Sequence, residues 1–116
     1  MLRQRARDSR VSDVATEWLY AIRSPRGASF VEDATEAESA VMGEHFAYLQ
    51  AALREGRLVL AGPATDGEFP GIVVFEADDE YEARAFMEAD PSVRQGVMLA
   101  ELHPFRVSLL RGRSHS

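Results

Sequence analysis

The stretch Thr35–Glu76 decides the fold: TEAESAVMGEHFAYLQAALREG, then RLVLAGPATDGEFPGIVVFE. Its first half has the helical period. Met42, Phe46, Leu49 and Leu53 form one apolar stripe. Thr35 followed by Glu38 has the form of a capping box, and Gly56 stands where a helix-terminating glycine belongs. The spacing predicts a helix over about Glu36–Glu55. Its second half switches to strands. Arg57–Ala61 reads RLVLA and is stopped by Gly62-Pro63, with Thr65-Asp66-Gly67 continuing the turn. Gly71–Glu76 reads GIVVFE and completes a hairpin with a longer loop.

On the N-terminal side, Glu17–Arg23 (EWLYAIR) is rich in aromatic and branched residues and reads as the first strand. Ser24–Asp33 holds Pro25 and Gly27 and reads as a loop. On the C-terminal side, Asp78-Asp79 opens a second helix carrying Ala83, Phe86 and Met87, which stops before Asp90-Pro91. Pro91–Gly96 reads as a turn or helical bend. Val97–Leu109 contains the last strand, with Pro104 at a bend or on an edge. The order βαββαβ gives an α+β, ferredoxin-like domain, an antiparallel sheet with two helices on one face. The domain spans residues 16–110, between a flexible tail at 1–15 and a short tail at 111–116.

Alternation along the strands puts apolar residues on both sheet faces. Trp18, Tyr20 and Ile22 oppose Leu19 and Ala21. Leu58 and Leu60 oppose Val59 and Ala61, and Ile72 and Val74 oppose Val73 and Phe75. Two helices cover only one face, and soluble monomers avoid large exposed apolar patches. The expected partner is a second copy of the chain, a homodimer with room for higher assembly.

Composition narrows the function classes. At 116 residues the chain can bury a core without staples. It has no cysteine, so thiolate chemistry is excluded. A net charge of −6 argues against nucleic acid as a partner, and no apolar run reaches a membrane span of roughly 20 residues. The expected location is the cytoplasm. No phosphate loop, nucleophile elbow or dinucleotide fingerprint occurs. His45, Asp90 and His103 lack close metal-ligand spacing, so neither a metal site nor a cofactor is expected.

Three segments together carry a resemblance: GEHFAYLQAALREGRLVLAGP (Gly43–Pro63), EADPSVRQG (Glu88–Gly96) and HPF (His103–Phe105). In this order they resemble the YCII-related family of small ferredoxin-like proteins. The resemblance implies a dimeric α/β barrel and a His–Asp active site, carried over to His45 and Asp90. It also implies small-molecule chemistry. The family includes a dehydrochlorinase of a chlorinated hydroxyhydroquinone, and related barrels isomerise muconolactones or oxygenate aromatics. Most members have no assigned reaction. The chain departs from the pattern at Ser92, where the family often has an aromatic residue, and in its short Ala64–Pro70 loop.

A histidine titrates near neutral pH and a carboxylate can fix its tautomer. His45 and Asp90 are therefore the candidate catalytic residues, with Gly62, Pro63 and Ser92 as candidate substrate-binding residues. His45 could equally be satisfied by a backbone carbonyl, and Asp90 could simply cap the Pro91 turn. Glu101 and His103 share a strand face and fit either a cleft or its rim. Two functions stay open. One is a cofactor-free acid–base enzyme of lyase or isomerase type, acting on a small, aromatic or other organic substrate. The other is a non-catalytic ligand-binding or accessory module.

Overall fold

The computed structural model describes residues 16–27, 29–68 and 70–112. The tail expected at 1–15 lies outside the described residues, as do residues 113–116 of the C-terminal one. The elements run β1 (Glu17–Arg23), α1 (Ser29–Asp33), α2 (Glu36–Arg54), β2 (Leu58–Gly62), β3 (Gly71–Glu76), α3 (Glu80–Ala89), α4 (Pro91–Arg94) and β4 (Leu99–Phe105). The sheet is antiparallel with strand order β2-β3-β1-β4. This is the ferredoxin-like arrangement that the element order predicts. No helix of the described residues is long and apolar enough to cross a membrane.

The capping box at α2 forms as the sequence predicts. The Thr35 hydroxyl accepts from the Glu38 amide at 3.0 Å, and the Glu38 carboxylate accepts from the Thr35 amide at 2.8 Å. Gly56 then reverses the chain at φ +83°, a conformation that costs a side-chain-bearing residue strain. The stretch read as a plain loop contains α1. Arg26 fastens that region, pairing with Asp33 at 3.2 Å and with Glu38 at 2.8 Å. Five residues are too few to give a periodic signal, which is why this helix escapes a reading of the pattern.

The helix-covered face of the sheet carries the core. Trp18, Tyr20, Ile22, Val73 and Phe75 are buried under Leu49 and Ala52 of α2 and Ala83, Phe86 and Met87 of α3. Phe75 and Phe86 stack at 4.5 Å, and Tyr20 meets both rings nearly edge-on. Such pairs add about 0.5–1.5 kcal/mol beyond simple burial. Trp18 is buried with its indole N–H donating to the Ala77 carbonyl at 3.2 Å.

Strand β2 departs from simple alternation. Leu58 pairs with Phe75 but Leu60 pairs with Val74, so two residues of β2 span one of β3. This bulge places Leu58 and Leu60 on opposite faces, against the expectation that they share one. Leu58 joins the core. Leu60 falls in line with Val74, Leu19 and His103 on the open face.

Candidate active site

Asp90 owes its position to its neighbour. Proline disfavours helical geometry in the residue before it, so α3 ends at Ala89 and Asp90 takes φ −60°, ψ 123°. The break leaves Asp90 as the N-cap of α4, with Pro91 opening that helix. Its side chain is fully buried.

A buried carboxylate needs donors, and Asp90 has several. Oδ1 accepts from the Ser92 amide and from the Ser92 hydroxyl, each at 2.9 Å. Oδ2 accepts from the Tyr20 hydroxyl at 2.7 Å. His45 Nδ1 lies 2.9 Å from Oδ1 and 2.8 Å from Oδ2. Burial pushes the Asp90 carboxyl up. The hydrogen bonds from His45 and Tyr20, the charge of His45 and the Ser92 amide outweigh it and hold the group below its ordinary value. Asp90 is therefore an anion at neutral pH.

That anion fixes the tautomer of His45. Facing a carboxylate, Nδ1 must carry the proton, which leaves Nε2 as the nitrogen with a free lone pair in the neutral ring. His45 lies on α2, and its side chain is 12% exposed while that of Asp90 is sealed off. One turn further on, Tyr48 donates to the Phe86 carbonyl at 2.8 Å and ties α2 to α3. Burial, with the neighbouring charges of Asp90 and Glu55 against that of Arg57, pushes the Tyr48 phenol up to about 12.

His45 opens onto a cleft of about 1110 Å³ between α2, the β2–β3 end of the sheet and the loop before α1. Met42, Phe46, Leu49 and Leu53 line it. Phe46 and Leu53 are 63% and 58% exposed. The apolar stripe of α2 is thus divided, with Leu49 in the core, Met42 packed against it, and Phe46 and Leu53 left as an exposed cleft wall.

Gly62 and Pro63 line the same cleft. A side chain at Gly62 would meet nothing within 4 Å. Ser92 sits elsewhere. It is fully buried, bonds to Asp90 and comes within 3.3 Å of His45 Nδ1. It is not among the residues lining the cleft, so it supports the carboxylate instead of touching a ligand. His103 and Glu101 lie on the open face of β4, paired with each other at 3.2 Å.

Tyr20 is the member of this cluster that the sequence does not single out. Strand alternation marks it as core, which it is. The overlooked signal is chemical, since a fully buried phenol must find a hydrogen-bond partner.

No curated protein matches the chain. Among solved structures, the fold is similar to 5-chloro-2-hydroxyhydroquinone dehydrochlorinase (TftG) from Burkholderia phenoliruptrix AC1100, determined in complex with 2,5-dihydroxybenzoquinone. The TM-score is 0.58 at 17% identity, over 78% of this chain and 93% of that one. The family profile of the YCII-related domain matches residues 19–106, a span that runs from within β1 past the end of β4 and holds both members of the His45–Asp90 pair. The chain belongs to the YCII-related family.

Proposed function

We propose that the protein is a cofactor-free, cytoplasmic acid–base enzyme in which His45 Nε2 moves a proton on a small organic, aromatic-type substrate held in the cleft. The observation that carries this reading is the buried Asp90 anion bound to Nδ1 of a histidine that lines an apolar cleft. Nε2 takes a proton from an acidic O–H or C–H of the substrate, and Asp90 stabilises the resulting imidazolium. In an isomerisation the proton returns to another substrate atom. In an elimination the electron pair left behind forms a double bond and expels the leaving group. Proton transfer of this kind is worth roughly 10²–10⁴-fold in rate. The dehydrochlorinase of similar fold acts on a hydroxylated aromatic ring, which is the kind of molecule an apolar cleft with one proton acceptor suits.

The working unit in this reading is a homodimer joined through the open sheet face. That face carries Leu19, Ala21, Leu60, Ile72, Leu99 and Phe105, with Leu60, Leu99 and Phe105 at least 40% exposed. Apolar residues exposed beside the Glu101–His103 pair on this face call for a cover.

The test is a thermal-shift and turnover screen of small phenols and aromatic acids on wild type and His45→Asn. Asparagine keeps an N–H near the position of Nδ1 but has no basic nitrogen at that of Nε2. Ligands are expected to stabilise both proteins and to turn over only with wild type, with a pH limb in the histidine range. Equal turnover by both would sink the reading. Binding without any turnover by wild type would replace it with a ligand-binding module.

A further inference from the structure

Resting on that acid–base reading, we propose that Tyr20 is a positioning residue, whose buried hydroxyl clamps the Asp90 carboxylate and sets how strongly His45 Nε2 takes a proton. The geometry carries the argument. Tyr20 comes from β1 and Asp90 from the α3–α4 junction, 70 residues away in sequence, and they meet at 2.7 Å with both side chains fully buried. A carboxylate has about four lone-pair sites. Ser92 supplies two donors to Oδ1, Tyr20 supplies one to Oδ2, and His45 Nδ1 bridges the pair. The carboxylate can neither rotate nor gain a water partner without breaking one of these bonds.

The Tyr20 O–H also acts electrostatically. It draws electron density from Oδ2, one of the oxygens facing the imidazole. Its removal leaves Asp90 a stronger acceptor and a better counterion, so the protonated form of His45 gains. The ring itself does separate work. Its edge-on contacts with Phe75 and Phe86 pack the core and need no hydroxyl. Loss of the hydroxyl and loss of packing are thus separable by Tyr20→Phe.

Other ionisable groups around His45 are held apart from this exchange. Tyr48 on the same helix spends its proton on the Phe86 carbonyl, and Glu44 is tied to Gln95, just after α4, at 2.9 Å. Arg23 and Glu68 line the cleft without a bond to the cluster among the described residues. Aspartate, tyrosine and serine therefore form the inner shell that tunes the histidine.

The experiment is an NMR pH titration of the imidazole resonances in wild type, Tyr20→Phe and protein carrying 3-fluorotyrosine at position 20, without ligand. The His45 signal is assigned by its loss in His45→Asn. In Tyr20→Phe its midpoint is expected to move up by about 0.5–1 unit, part of the one to two units that a full charge-assisted hydrogen bond represents. His103, on the opposite sheet face, should not move. A His45 midpoint that is unchanged or lower in folded Tyr20→Phe overturns the proposal and leaves Tyr20 a packing residue. If Tyr20→Phe does not fold, 3-fluorotyrosine at position 20 decides, because it keeps the ring and donates more strongly to Oδ2: the His45 midpoint should move down, and an unchanged or higher one overturns the proposal. The titration needs no substrate. It can therefore fail while the turnover screen succeeds, or the reverse.

Discussion

Replacing Asp90 by asparagine removes the charge and keeps the shape. The consequences follow from which donors can turn. The Ser92 amide is fixed by the backbone, so the asparagine oxygen must occupy the position of Oδ1 to satisfy it. The new NH₂ then faces Tyr20 and His45. The Tyr20 hydroxyl, fully buried, must accept where it donated, and its own proton is left without a partner. An unsatisfied buried donor costs about 1–3 kcal/mol, and breaking a buried charged pair about 3–5 kcal/mol. The retained Ser92 bond and the matched shape argue for the low end, about 3 kcal/mol. For a domain of this size that lowers the melting temperature by roughly 12 °C. His45 Nδ1 then lies between the amide oxygen and an NH₂, so its N–H loses the anion that held it and the preference for the proton at Nδ1 weakens.

Acid adds an independent check. The folded Asp90 carboxyl sits below its ordinary value near 3.8. Its contribution to stability is therefore complete above that value and is lost as pH falls through the lower folded one. The stability gap between wild type and Asp90→Asn should narrow below about pH 4. Denaturant melts at pH 7 and at pH 3, with ring-nitrogen NMR for the tautomer, measure all of this. A gap under about 1 kcal/mol at pH 7, or a tautomer held at Nδ1 as firmly as in wild type, refutes the reasoning.

Phe86→Ala removes the ring stacked between Phe75 and Tyr48 and should cost about 3–5 kcal/mol in a denaturant melt. Thr35→Ala breaks one half of the capping box and should cost about 1 kcal/mol, leaving the cleft and any ligand response unaltered. Leu60→Glu puts a charge on the open sheet face; light scattering should then give the mass of one chain where wild type gives two. A wild type that is already a single chain at micromolar concentration removes the dimer from the account.

Features encoded by neighbouring residues were legible in the sequence, and features set by distant contacts were not. The capping box, the glycine after α2 and the Pro91 break are interactions over a few residues, and each forms where the residues indicate. Strand β1 alternates in burial as its side chains predict, while in β3 the side chains of Val73, Val74 and Phe75 are all buried. The bulge in β2 is hidden, because Leu58, Val59 and Leu60 are interchangeable by hydrophobicity and only pairing with β3 shows the extra residue. The split of the α2 stripe is hidden for a similar reason. Helical spacing fixes a shared face but not where that face slides off the edge of the sheet. His45 and Asp90 emerged through resemblance, since 45 residues separate them and nothing local links them. The place of Ser92 in its motif suggests a substrate contact, whereas its side chain is fully buried against the carboxylate.

The Pro91 break gives the two members of the pair unequal obligations. Asp90 caps α4 and anchors Tyr20 and Ser92, so the fold has reason to keep it whether or not any reaction occurs. His45 has no comparable duty, being a cleft-wall residue on a helix that is capped and packed without it. Drift after loss of activity would therefore erase the histidine first and leave the aspartate standing. Under the acid–base reading, relatives that keep the aspartate without its histidine are those that have given up the reaction.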